Sequence, residues 1–546
     1  MTTEIETAGK TKGQIEHSRL LDVHRWSDHP EVNSFCTNIW ERYFYQKFEP
    51  TGKGNRPKKH PKYQLKVLLL DLYVAWRTDP ELLISLSFTK SAYRGSTRYN
   101  KLHISYKIVE LAYHAIEVGL IERNKGNEAS GRVSRIWPTP KLLDYFNGIE
   151  FELYQLEYSR DQEVVCLSKA KDSDTQDLQL VDNEDGKKKT PLKYSEYDDR
   201  DAPAEISKWR ELLHNYNRLL SNTFVDIGSL ELPSVKTTYW DKKAKRERTR
   251  TVFIGQHNKY VKRIFYRNDW SLGGRVHGGW WQQVKSDYRK DILINDEITL
   301  EQDFKGLHVT LLYGLKGLQP PEDPYVTDLQ STFSSEENRA LTKALVLNAI
   351  NAKDMKSAFQ AFRSEQKTGS AFKKIKNEEL RVVIDAFVEA NPEIEGDLFS
   401  DKGVELMAID GRITFDIIEY FTNKGIPVLS VHDSYITTEE HSSELYQRMR
   451  FAIMSEMAPY NPNQDHLAKL SSGLNLPDDI NVRLELLDFD AKIERELNSI
   501  AYVETWKAGM KWADLQTKAD SVWNKRMCDG YNHRYRQWLT SRVDSH

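Results

Sequence analysis

Two aspartates stand where one fold could bring their carboxylates together. The stretch Ile426-Pro427-Val428-Leu429-Ser430-Val431-His432-Asp433-Ser434-Tyr435-Ile436 runs from apolar β-formers into a polar His-Asp-Ser step and out again. That pattern predicts a tight hairpin lifting Asp433 out of a buried strand pair. About 130 residues earlier, Ile298-Thr299-Leu300-Glu301-Gln302-Asp303-Phe304 predicts a strand with Asp303 at its end. On adjacent strands, two such carboxylates can hold two divalent cations about 4 Å apart, the arrangement that supports in-line phosphoryl transfer. Magnesium often takes only one or two protein carboxylates and fills its shell with phosphate oxygens and water, so two aspartates suffice. Between them, Arg339 and Lys343 lie four apart on one predicted helix face and could clamp β- and γ-phosphates. Taken alone, they also read as ordinary exposed cations on an amphipathic helix.

The elements that must carry these groups are visible as periodicity. Leu307, Leu311 and Leu312 follow Asp303 at helical spacing, and the run Arg339–Asn351 is a second helix. Tyr63 to Trp76 has a buried-helix pattern, and Ile206 to Leu220 an amphipathic one. Ile108, Leu111, Ala112, Ala115 and Ile116 predict a helix that stops at Gly119. Leu120–Arg123 then predicts a strand, Gly126–Arg132 a turn, and Ser134–Thr139 a returning strand. Helix, strand, basic Gly-rich turn and strand resemble a winged-helix module over about 55 residues. That likeness would put Arg132 and Arg135 near DNA phosphates, with Arg94, Arg98 and Lys101 beside the recognition region. The same module can also serve as a purely structural or protein-contact unit.

Composition bounds the rest. With 546 residues, the chain exceeds what one hydrophobic core usually organises. A formal net charge of -3 speaks against an overall basic nucleic-acid binder but leaves room for local basic grooves. Cys36, Cys166 and Cys528 show neither pairing nor metal spacing, which fits a reducing compartment. The polar, acidic start is unlike a signal peptide, and no apolar run approaches the roughly 18 residues of a membrane span. A cytoplasmic protein without a membrane partner is expected. The charge blocks around Lys169–Asp174 and Asn183–Lys189 predict a mobile linker or insertion. Lys236–Thr251 predicts a basic hairpin, either solvated or in contact with phosphate. The tail interleaves Trp506, Trp512, Trp523 and Trp538 with Lys and Arg, which suits either stacking on single-stranded bases or anchoring of C-terminal helices.

The order Asp303, then Arg339 and Lys343, then His432-Asp433 resembles motifs A, B and C of the family A polymerases. These comprise polymerase-I-like DNA polymerases and phage-type single-subunit RNA polymerases. Upstream, Asn268-Asp269-Trp270-Ser271-Leu272-Gly273-Gly274-Arg275-Val276-His277 is similar to a degenerate form of the Asp-Trp-Arg-Gly-Arg stretch of the phage-type enzymes. The likeness spans roughly residues 260 to 495. It implies an α+β right-hand core of palm and fingers, preceded by a mainly helical winged-helix-like domain. It implies Asp303 and Asp433 as ligands of two Mg²⁺ ions, with Mn²⁺ as a substitute. Lys343 would act on the triphosphate as a catalytic group, and Arg339 would be its phosphate partner. Arg275 and His432 would contact the template–primer backbone, and Tyr435 would pack behind motif C.

Departures from the family pattern leave the sugar open. His308 stands five residues after Asp303, where DNA polymerases use Glu against a 2′-hydroxyl. Its bulk favours deoxynucleotides, yet an imidazole can also hydrogen-bond a ribose. Asn351-Ala352 occupies the place of the usual Tyr-Gly at the nucleotide site, and Ser434 matches the RNA-polymerase form. No convincing Asp-x-Glu set precedes the core, so proofreading is not expected. The expected domains are an N-terminal domain at 1–157, a linker at 158–204 and a connector at 205–262. A polymerase core at 263–497 and a tail at 498–546 follow. The expected function is primer extension on a DNA template from nucleoside triphosphates, in replication of a phage, plasmid or related element, with replication proteins as further partners. The alternatives are an RNA-synthesising primase or single-subunit RNA polymerase, and a DNA-binding initiator whose core no longer catalyses.

Overall fold

The hairpin forms where the apolar run and the polar step predict it. Strands Leu429–Val431 and Ser434–Thr438 pair antiparallel, with Val431 opposite Ser434 across the two-residue loop His432-Asp433. The second of these strands pairs antiparallel with Glu297–Phe304, putting Asp303 opposite Ser434. The sheet continues through Ile292–Ile294 to the edge strand Val225–Ile227. The structure, a computed structural model, describes residues 14–15, 17–49, 60–93, 98–126, 133–149, 156–158, 162–169, 194–241, 246–329, 331–366, 369–461, 474–475 and 527–543.

Strand periodicity sorts the side chains of this sheet into two faces. Glu301, Asp303 and Ser434 share one face by register, while Gln302, Phe304 and Tyr435 share the other. The Phe304 and Tyr435 rings meet edge to face, with centroids 6.4 Å apart. Tyr435 is fully buried, and its hydroxyl bonds Thr414 of the helix Gly403–Asn423 at 2.9 Å. Burying an aromatic ring of this size stabilises by about 2–3 kcal/mol. The polar face is thereby left free to carry the carboxylates.

Beyond Asp303 the chain turns through Gly306, whose φ of 64° lies in the left-handed region, into the helix Leu307–Leu315. A Cβ there would also touch the Tyr325 ring at 3.4 Å. Helices Ser335–Asn351, Met355–Glu365, Asn377–Ala390 and Ser442–Met457 join this one in a single apolar core containing Leu311, Leu345, Phe362, Phe387 and Leu445. The helix Ser335–Asn351 begins with a capping box: Glu337 N–H donates to Ser334 Oγ at 3.2 Å, and Ser334 N–H donates to Glu337 Oε2 at 2.9 Å.

The N-terminal part has its own core around the helix Pro61–Thr78. In its sheet, Ser134–Pro138 runs antiparallel to both Leu83–Leu86 and Ile121–Asn124, and Ser18–Leu20 joins Leu83–Leu86 in parallel. The helix Lys107–Glu117 precedes Ile121–Asn124, and Gly119, at φ 72°, makes the turn between them. Arg132 and Arg94 lie outside the described residues. Arg135 lies within the sheet and donates to the carbonyls of Val133 at 2.6 Å and Ile15 at 3.3 Å. Arg98, expected beside a recognition element, instead bonds Glu163 at 3.2 Å and Asp199 at 2.9 Å and lies over the Tyr197 ring.

Those partners belong to the segment whose charge blocks predict a linker. Part of it is built into the fold: Val165–Leu167 is a buried strand running parallel to Val261–Phe265. Residues 170–193 lie outside the described set. The basic hairpin pairs Ser234–Asp241 with Arg246–Phe253. At the other end of the chain, the helix Asp529–Val543 packs on the sheet edge, with Tyr531 and Trp538 against Phe224. Trp538 therefore anchors a helix, whereas Trp506, Trp512 and Trp523 fall outside the described residues. Among the described residues, no helix is long and apolar enough to cross a membrane.

Candidate functional site

The site is built on the strand pair. Asp433 occupies the hairpin loop, and its carbonyl accepts the Phe304 N–H at 3.2 Å, which ties the loop to the residue after Asp303. His432, beside it, has a φ of 58°, a conformation usually left to Gly or Asn. From beneath, the Trp281 indole N–H and the Gln282 amide both donate to the Ser430 carbonyl, at 3.0 and 2.9 Å. The loop is thus held from both sides in a conformation it would not choose alone.

Asp303 lies within range of the charges of both Asp433 and Lys343. The Asp303 carboxyl is raised above the usual carboxylate range by burial and by the charge of Asp433, and Lys343 opposes the shift. Lys343 stands exposed on the helix Ser335–Asn351. Two neighbouring carboxylates whose charges work against each other form a hard-oxygen donor pair that a divalent cation would relieve. That donor set fits Mg²⁺ or Mn²⁺ at Asp303 and Asp433. Among the described residues, no group of three or more His, Cys, Asp or Glu side chains is placed to hold a metal, so an ion here would rest on these two carboxylates.

Glu301, on the same face as Asp303, is the carboxylate that could have joined the pair. It is engaged elsewhere: Arg289 forks onto it at 2.8 and 2.9 Å, and the Ser434 hydroxyl donates to it at 2.6 Å. Ser434 thus holds a neighbouring carboxylate in place.

Arg339 is paired with Asp323 at 2.6 Å in a partly buried bridge, one helical turn before Lys343. Asn351 is exposed at the end of the same helix, and its amide donates to the Leu347 carbonyl at 2.7 Å. Arg275 and His308 come together on the other side of the site. Arg275 binds Asp410 of the helix Gly403–Asn423 and donates to His308 Nε2 at 3.2 Å. Burial works against the Arg275 charge, but Asp410 and Asp433 more than offset it, so its pKa is raised. Burial and the nearby guanidinium push the His308 imidazole down to about 3 and His432 down to about 4, so both are neutral at pH 7.

Arg132 lies outside the described residues, and Arg135 belongs to the separate N-terminal sheet. The sequence alone does not point to Asp410, Glu301, Arg289 or Asp323. Asp410 had one signal: an acidic residue between Ile409 and Ile413 on a predominantly apolar helix. No protein-family model matches the chain, and no curated protein and no solved structure is significantly similar to it.

Proposed function

We propose that the chain is a template-directed nucleotidyltransferase that extends a primer 3′-hydroxyl on a DNA template, most simply as a DNA polymerase with a palm-and-fingers core. One observation carries this reading. Asp303, at the end of one strand, and Asp433, in the hairpin loop beside it, lie within reach of each other's charge, with Lys343 on a helix close enough to oppose it. Bound at Asp303 and Asp433, divalent cations would supply the positive charge that activates a hydroxyl and neutralises a triphosphate. The chain's own residues supply position. The strand pair fixes the carboxylates, and Lys343 presents an exposed cation to the β- and γ-phosphates. The buried Phe304–Tyr435 contact keeps the strand register from slipping.

The N-terminal helix–strand–strand unit suits DNA contact in such an enzyme, and a replication role for a phage, plasmid or related element follows from pairing the two. A second reading, RNA synthesis, is favoured by Ser434 in place of a third acidic residue. The experiment is incorporation by the full chain on a primed DNA template with Mg²⁺, comparing dNTPs with NTPs, with and without primer. Extension from dNTPs on the primer supports the first reading, and unprimed product from NTPs supports the second. Sequence-specific DNA binding with no incorporation from either pool would replace both with a non-catalytic initiator.

A further inference from the structure

The basic hairpin of Ser234–Asp241 and Arg246–Phe253 has no place in the chemistry above, and its charge is concentrated. Residues 236–250 carry seven Lys or Arg against Asp241 and Glu247, a net charge of +5 in a chain whose net charge is -3. The two strands pair with each other and, among the described residues, with no third strand. Residues 242–245, between them, lie outside the described set. The root is buried on both faces. Val235 and Val252, opposite each other, are 2% and 3% exposed and share a core with Val225 and Leu429. Phe253 belongs instead to the N-terminal core around Pro61–Thr78. With 8 residues in each strand, the ribbon extends about 27 Å from one end to the other.

Residues opposite each other in an antiparallel ladder share a face, and the face alternates at every step. Arg246, Arg248 and Arg250 therefore fall on one face, opposite Asp241, Tyr239 and Thr237. Glu247 falls on the other, opposite Trp240. The arginine positions repeat about every 6.8 Å along the strand. Arg, Thr and Tyr are residue types that bond phosphate oxygens. From Lys236 to Thr251 there is no Val, Leu, Ile, Met or Phe, so the ribbon beyond its root lacks the apolar centre that a stable protein interface buries. Single strands are held by stacking successive bases on aromatic rings, and the arginine face has Tyr239 as its one aromatic position. The major groove of duplex DNA, about 12 Å wide, admits a two-stranded ribbon.

We infer that the hairpin is an arm that binds the phosphate backbone of duplex DNA through Arg246, Arg248 and Arg250, apart from the carboxylate site and without reading sequence. The inference does not rest on the nucleotidyltransferase reading, and the arm needs no metal. Backbone contacts fix position and register on the duplex but carry no base information. Each phosphate that a cation neutralises releases a counterion, so three such contacts add about 2.7 to the steepness with which log K falls against log[salt].

Fluorescence anisotropy of the full chain with a labelled DNA duplex in EDTA, titrated at salt concentrations from about 50 to 200 mM, tests this. The triple variant R246Q/R248Q/R250Q should be less steep by about 2–3, so that the wild type loses about 40-fold more affinity than the variant across that range. Arg248→Gln alone should lower the steepness by about 0.9. The variant R246K/R248K/R250K keeps the charge and should keep the slope. A wild-type slope in the glutamine variants, or an equal fall in the lysine variant with the fold intact by circular dichroism, overturns the arm. Tighter binding of the wild type to a single strand of the same length, or no binding to the duplex at the lowest salt, overturns it too. Primer extension is read separately. A chain that binds duplex through the arm but incorporates neither dNTPs nor NTPs keeps this inference and loses the nucleotidyltransferase reading. A chain that extends primers with its slope unchanged in the glutamine variants does the reverse.

Discussion

Asp303 and Asp433 are joined through the backbone as well as through their charges. The Phe304 N–H donates to the Asp433 carbonyl at 3.2 Å, and the Asp433 charge is among the causes that raise the Asp303 carboxyl. A loop bonded to the strand it faces cannot relax the repulsion by moving away. Counter-charge has to come from outside the pair, from Lys343 or a bound cation.

Thermal unfolding checks that relationship without any assay of activity. Mn²⁺ at about 10–100 times its dissociation constant should stabilise the wild type by about 1.4–2.7 kcal/mol. Asp303→Asn should abolish most of that gain while unfolding no earlier than the wild type in metal-free buffer, because it removes a like-charge contact. An equal Mn²⁺ response in the variant would place the ion elsewhere.

Asp323 competes with any phosphate for Arg339. An ion pair that solvent still reaches is worth about 0.2–1 kcal/mol. Asp323→Asn should therefore lower KM for the nucleoside triphosphate by up to about fivefold, and Arg339→Ala should raise it. If KM stays constant in both variants, Arg339 is a structural cation only.

Acid should destabilise the fold early. His24 and His432 titrate near 4 and His308 near 3, each because burial disfavours its charge, and His257 is lowered as well. As pH falls below the ordinary histidine value of about 6.5, the unfolded chain takes up these protons and the folded chain does not. Stability present above that pH is then lost, by roughly 2 kcal/mol per histidine at about pH 5. Asp410 works in the opposite sense. Burial raises it to about 6, so the folded state binds its proton first, and acidification adds stability between about pH 6 and pH 4. The four lowered histidines should outweigh Asp410 and the other raised carboxyls, Asp226, Asp303 and Asp416, and leave a net fall in urea midpoint from pH 7 to pH 5; a flat profile would contradict the burial of the histidines as neutral groups.

The C-terminal helix should matter to the sheet it covers. Arg534 forks onto buried Asp226 at 2.7 and 3.0 Å. Arg534→Ala leaves that carboxylate without its partner, a loss on the scale of about 3–5 kcal/mol. Urea unfolding should show it as a lower midpoint with an unchanged slope.

Much of the sheet is legible in the chain, because strands announce themselves locally. Val428-Leu429 before His432-Asp433, and Ile298 to Phe304 before Gly306, show their period within a few residues. The strand Val165–Leu167 is hidden by the charge blocks that follow it, since three buried residues are too few to outweigh a polar window. The contacts that qualify the candidate site are less legible still. Arg275 meets Asp410 across 135 positions, Ser434 meets Glu301 across 133, and neither pairing has a local signature. A residue type that suits phosphate or template contact suits a buried bridge equally well, and only the fold chooses between them.

The most direct measurement is single-turnover extension of a primed DNA template in Mg²⁺ by the wild type, Asp303→Asn and Asp433→Asn side by side. The wild type should extend the primer, and each variant should be slower by about 10³-fold or more, the scale on which losing a charge-stabilising group lowers kcat. Extension at the wild-type rate by either variant, or none by the wild type with dNTPs or NTPs, would contradict a two-carboxylate nucleotidyltransferase site.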